Sequence, residues 1–140
     1  MSLASEQYEG LAGFRLALRR FLALSDVAAR EAGVTSQQYQ ALLTVKTQPG
    51  GEAQIKAIAD QMLIKHHGAV QLVDRLVSAG LVVRRSATSD RRGVVVALTS
   101  KGEDALAALS AAQLPELIKH GALLADSLKR LRRIPSGELR

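Results

Sequence analysis

The sequence predicts a mainly α-helical fold with one small β-hairpin, and three observations predict it. Apolar residues recur every three or four positions along most of the chain, which is the period of an amphipathic helix. Two short runs rich in β-branched residues, Leu81 to Arg85 and Val94 to Leu98, flank the polar loop Ala87 to Gly93, as the arms of a hairpin do. The length of 140 residues, 47% of them hydrophobic, suits one compact core and is short for two, so a single domain over residues 1–140 is expected.

The first element is a helix from Ser5 to Ala32. Its apolar stripe holds Leu11, Phe14, Leu18, Phe21, Leu22 and Ala28, and Gly33 ends it. A helix this long offers more apolar surface than one small core can cover, so a partner chain is the expected cover. Thr35 and Gln38 have the spacing of a capping box and open a second helix through Tyr39, Leu42 and Leu43 to about Thr47, where Pro49, Gly50 and Gly51 stop it. A third, Gln54 to Met62, turns at Leu63 and Ile64 into a fourth, Lys65 to Ala79, closed by Gly80. Two short helices joined by a tight turn form a helix-turn-helix, and a basic hairpin directly after one is a wing. Thr99 or Ser100 caps a fifth helix to about Ala112. Pro115 suits the first position of a sixth, which carries Leu117, Leu124, Leu128 and Leu131 and ends in Lys129, Arg130, Arg132 and Arg133. The whole reads as a winged helix-turn-helix between N- and C-terminal helices.

Composition narrows the function. The absence of cysteine excludes disulfides, zinc ribbons and thiol switches within the chain. Aromatic residues, at 3%, are too few for a single-strand binder built on stacking. The N-terminus MSLASEQYEG lacks a basic stretch followed by an apolar run, and no window approaches ~18 apolar residues. Secretion and membrane spanning are disfavoured, a cytoplasmic location is expected, and nothing calls for a cofactor. A nucleophile and base cannot be paired from His66, His67 and His120 without cysteine, a G-x-S-x-G turn or a phosphate-binding glycine loop, so no enzyme is expected.

The net charge of +6 is concentrated, because residues 65–101 alone carry +5. At about 100° per residue, Ala69, Leu72, Val73, Leu76 and Val77 share the inner side of the fourth helix. His67, Gly68, Gln71, Asp74, Arg75 and Ser78 share the outer side. The outward residues nearest the start, His67, Gly68 and Gln71, are candidates for base edges in a major groove. Arg75 and Lys65 suit phosphates, and His66, turned toward the apolar side, suits packing or a phosphate. Arg85, Arg91 and Arg92 in the wing complete the DNA-facing set, with a tip guanidinium suited to a narrow minor groove. Asp90 is expected to brace the loop by pairing with Arg92 or Arg85. A solvated polar face would also account for His67, Gln71 and Ser78, although the basic wing counts against it. A metal site at the adjacent histidines is disfavoured, since helix neighbours diverge and no Cys, Asp or Glu lies four residues on from either.

Two motifs, LVDRLVSAGLVVRR (Leu72 to Arg85) and SDRRGVVVALTSKGEDAL (Ser89 to Leu106), resemble the MarR family of bacterial winged-helix transcription regulators. They correspond to the end of its recognition helix, its D-x-R wing and its L-T-x-x-G entry to the next helix. The resemblance implies a DNA-binding lobe over 35–106 and dimerisation helices over 5–32 and 107–134. It implies a homodimer that sets two recognition helices in successive major grooves of a pseudo-palindromic duplex and two wings in the flanking minor grooves. Gln71 would then contact a base, Arg92 would be the wing-tip arginine and Asp90 its brace. Where the family often starts its recognition helix with a small hydroxyl or acidic residue, this chain has Lys65-His66-His67, so the operator does not carry over. Many members bind small, often aromatic or acidic effectors, and Tyr8, Phe14, Arg15 and Tyr39 are the candidates to line such a pocket. The function expected is that of a homodimeric repressor released by a small ligand. The alternative is a winged-helix protein-interaction module that does not read DNA.

Overall fold

A computed structural model describes residues 3–88 and 93–132. Its elements are α1 (Ser5–Glu31), α2 (Ser36–Thr47), a 3-10 turn at Pro49–Gly51, β1 (Glu52–Ala53), α3 (Ile55–Met62), α4 (His66–Ser78), β2 (Val82–Ser86), β3 (Val94–Leu98) and α5 (Ser100–Arg132). They fall into two compact units. One comprises the chain up to Ala28 and again from Ala111, and the other runs Ala29–Ser110.

The unit Ala29–Ser110 has a continuous apolar core. Leu42 and Val45 of α2, Ile58 of α3, Val73 and Leu76 of α4, Val82 and Val96 of the sheet and Leu109 of α5 are all buried in it. Local chemistry starts and stops the elements. Thr35 and Gln38 form the reciprocal capping box at α2, with Thr35 Oγ1 accepting from the Gln38 N–H at 3.0 Å and Gln38 Oε1 accepting from the Thr35 N–H at 2.9 Å. α4 ends at Gly80, whose φ of +74° an L side chain rarely adopts.

The hairpin is part of a larger sheet. The sequence predicts two strands, whereas the structure has three antiparallel ones in the order β1-β3-β2. Glu52 stands opposite Ala97, and Val82 to Ser86 pair with Leu98 to Val94. A strand of two residues is too short to show alternation, so periodicity could not reveal β1.

The C-terminal helices also differ from expectation. Instead of a fifth helix to Ala112 and a sixth from Pro115, one helix runs Ser100–Arg132 with Pro115 inside it. Proline there removes the N–H that would bond the Ala111 carbonyl. Both residues are exposed, so water can serve that carbonyl and the helix continues. Val77, expected in the core, is 37% exposed because it lies about 90° round the helix from the centre of the buried row.

The N-terminus of α5 is fastened to the end of α4. Thr99 Oγ1 donates to the Gly80 carbonyl at 2.6 Å and accepts from the Gly102 N–H at 3.0 Å, while Lys101 Nζ donates to the Ala79 carbonyl at 2.9 Å. Gly102 is needed for this approach, since a Cβ there would lie 2.0 Å from the Leu81 carbonyl oxygen. In the other unit, Gly10 faces Leu131, whose side chain would come within 2.6 Å of an added Cβ. Leu11, Leu16, Leu18, Leu22 and Val27 of α1 are exposed, as are Leu114, Leu117, Ile118, Leu123 and Leu128 of α5. Gly102→Ala is expected to lower the unfolding free energy by about 1–3 kcal/mol, because the backbone that must yield belongs to the α4–β2 turn. Urea denaturation of the variant beside the parent measures it.

Candidate nucleic-acid interface

α3 and α4 make the helix-turn-helix. Leu63 ends α3 in the left-handed region with φ of +57°, and the Ile64 N–H returns to the Ala59 carbonyl at 3.1 Å. This sharp reversal lets α4 start two residues later, with Lys65 as N-cap and no side-chain cap bond. Ala69, Leu72, Val73 and Leu76 are buried beneath α4. His67, Gln71, Asp74, Arg75 and Ser78 are exposed, and Gly68 is half-buried. A Cβ at Gly68 would meet nothing within 4 Å, so packing in this lobe does not demand the glycine.

His66 is exposed and does not pack into the core. It borders a cleft of about 370 Å3 that also takes in Gln54, Ile55, Lys56, Arg84 and Val94. Lys56 and Arg84 are functional candidates that the sequence reading passed over. Neither belongs to the recognition helix, and only the packing of α3 and β2 beside the start of α4 places their charges next to His66.

The two adjacent arginines of β2 have separate tasks. Successive residues on a strand point to opposite faces. Arg84 pairs with Asp74 of α4. Arg85, expected to face DNA, instead places Nη1 2.5 Å from Oε2 of Glu52, whose side chain is completely buried. The Thr88 N–H and hydroxyl donate to the same carboxylate. The proposed pairing of Asp90 with Arg92 or Arg85 concerns a segment of which residues 89–92 lie outside the described residues, as do Asp90, Arg91 and Arg92 themselves. Glu52 was also missed from sequence, because one acidic residue after two glycines reads as solvated turn.

The candidate effector residues divide between the two units. Tyr8, Phe14 and Arg15 lie on α1, where Tyr8 and Arg15 are exposed and Phe14 is half-buried. Tyr39 is buried in the unit Ala29–Ser110, with its hydroxyl 3.0 Å from Ser110 Oγ.

A polar helix face on an apolar seat, with a basic sheet arm beside it, is the geometry of a winged helix, and residues 32–93 match the model of the MarR family. This stretch of the chain is similar to the winged helix of that family. The likeness extends to solved structures. AbsC, a MarR family transcriptional regulator from Streptomyces coelicolor, superposes with a TM-score of 0.75 at 18% identity, over 86% of this chain and 81% of that one. Wild-type MarR from E. coli gives 0.65 at 17% identity, over 89% and 84%. A mutant of MepR from S. aureus, solved bound to an oligodeoxyribonucleotide, gives 0.64 at 16% identity, over 87% and 95%. At these identities the shared property is the fold. No curated protein matches the chain in sequence. Among the described residues, no helix is long and apolar enough to cross a membrane.

Tyr39→Phe is expected to cost about 1 kcal/mol of stability through the lost bond to Ser110, measurable by thermal unfolding.

Proposed function

We propose that this chain is a member of the MarR family and a homodimeric, sequence-specific DNA-binding transcription regulator, a repressor that a small aromatic or acidic ligand releases from a pseudo-palindromic operator. The observation that carries the reading is the rotational setting of α4, which buries Ala69, Leu72, Val73 and Leu76 and leaves His67, Gln71 and Arg75 exposed. Gln71 is the candidate for bidentate contact to adenine and His67 for a guanine acceptor. Lys65, Arg75, Lys56 and the rim histidine His66 are candidates for phosphates, which fix register without reading sequence. Arg91 and Arg92 are the candidates for the minor groove. The oligodeoxyribonucleotide bound by the MepR mutant supports a nucleic-acid role for the shared fold. The polar groove face counts against a protein-interaction module, whose docking surface would be apolar.

Dimerisation is supported by the exposed leucines of α1 and α5. They form the stripe that a second copy would cover. Tyr8, Phe14, Arg15 and Tyr39 are retained as effector candidates through the family resemblance alone.

Titration of duplex DNA at increasing salt is expected to give a linear fall in log affinity against log salt, with a slope of about −0.9 per phosphate neutralised. Arg92→Ala is expected to weaken all sequences alike. Gln71→Ala is expected to change preference at one base-pair position by about 1–3 kcal/mol. Salt-independent binding, or two variants indistinguishable from the parent on every sequence, would refute the docking. Leu18→Asp together with Leu22→Asp is expected to convert a dimer to monomers in sedimentation equilibrium. A parent that sediments as a monomer would refute the dimer.

A further inference from the structure

Glu52 is an unexpected charge to find in a core. It lies in the two-residue strand β1, opposite Ala97 of β3, and its side chain is fully buried. Four interactions reach its carboxylate from the arm of the hairpin that leaves β2. Arg85 Nη1 lies 2.5 Å from Oε2, the Thr88 hydroxyl donates to Oε2 at 3.0 Å, and the Thr88 N–H donates to Oε1 at 3.1 Å and Oε2 at 3.0 Å. The strand order β1-β3-β2 puts β3 between the partners, so this tie crosses a whole strand. Ala97, opposite Glu52, presents only a methyl group there.

A buried carboxylate is a costly way to stabilise a sheet, because Glu52 loses its water even though the Arg85 side chain stays about one-third exposed. What this pair supplies that an apolar residue could not is a directed connection to two points on the outgoing arm. The neighbouring Arg84 pairs with Asp74 of α4. β2 is thereby tied to β1 through one face and to α4 through the other.

We propose that Glu52 is a positioning residue for DNA binding, which sets the outgoing arm of the hairpin through Arg85 and Thr88, and that Arg85 is its tether and makes no contact with DNA. The inference rests on the DNA-binding reading above and deepens it. It also predicts an effect of opposite sign to simple electrostatics. Removing a negative charge from a protein that binds a polyanion should tighten binding. Loss of a positioning contact should weaken it.

The test is duplex affinity and its salt slope for the full-length chain. Glu52→Gln and Arg85→Gln are each expected to weaken binding about tenfold, and the double variant is expected to lose no more than the weaker single. Base preference at the position read by Gln71 should be unchanged, which a general loss of structure would not allow. Thr88→Ala alters an exposed residue and keeps both charges, so it serves where the buried substitution impairs folding; a loss of about two- to fivefold is expected. The inference is overturned if Glu52→Gln binds as well as the parent or tighter. It is equally overturned if Arg85→Gln alone lowers the salt slope by about one phosphate, if the two losses add, or if Thr88→Ala binds as the parent does. A parent chain without salt-dependent DNA binding refutes the function itself, and that result precedes every variant.

Discussion

The DNA-facing surface depends on one constraint, the rotation of α4 about its own axis. Ala69, Leu72, Val73 and Leu76 form a narrow row wholly within the core, so turning the helix by one residue would bury His67 and expose Leu72 in one sense, or bury Arg75 and expose Val73 in the other. Each would cost the transfer of an apolar side chain to water and of a polar one out of it. Packing on one face thereby fixes which side chains the other face presents. The turn at Leu63 sets where the helix begins, and the bonds from Thr99 and Lys101 to the Gly80 and Ala79 carbonyls set where it ends.

Of the hairpin beside that helix, β3 is seated by its buried Val95, Val96 and Ala97, while β2 relies on its pairing with β3 and on polar contacts. β2 has little apolar surface, with only Val82 of its five residues buried. Its position is specified by two directional ties, Arg84 to Asp74 and Arg85 to Glu52. The first is largely exposed and of the kind that contributes little to stability. The second has a fully buried carboxylate, which must be matched by its donors. The basic charge concentrated in residues 65–101 therefore has two uses, since part of it is spent inside the lobe and part is left facing outward.

Much of the fold was legible in the sequence because it rests on local signals. The capping box at Thr35 and Gln38, the stop at Gly80 and the apolar periods of α1 to α4 each lie within a few neighbouring residues. What escaped was non-local or too short to have a period. β1 is two residues long, and its pairing with β3 crosses more than forty positions of chain. Pro115 reads as a helix start, and only the solvent exposure of Ala111 and Pro115 lets α5 run through it. The outward face of α4 was readable as a stripe, whereas Arg85 was indistinguishable in sequence from a DNA-facing arginine. Its partner lies 33 residues earlier and only the sheet brings the two together. Lys56 likewise gains significance only from the cleft it shares with His66 and Arg84.

The central claim is that α4 reads duplex DNA in a twofold arrangement, and selection of bound DNA from a random pool by the full-length chain tests it most directly. The account predicts an enriched inverted repeat whose half-sites lie about one helical turn apart, centre to centre. A pool that enriches no sequence, or a single site without twofold symmetry, would contradict it.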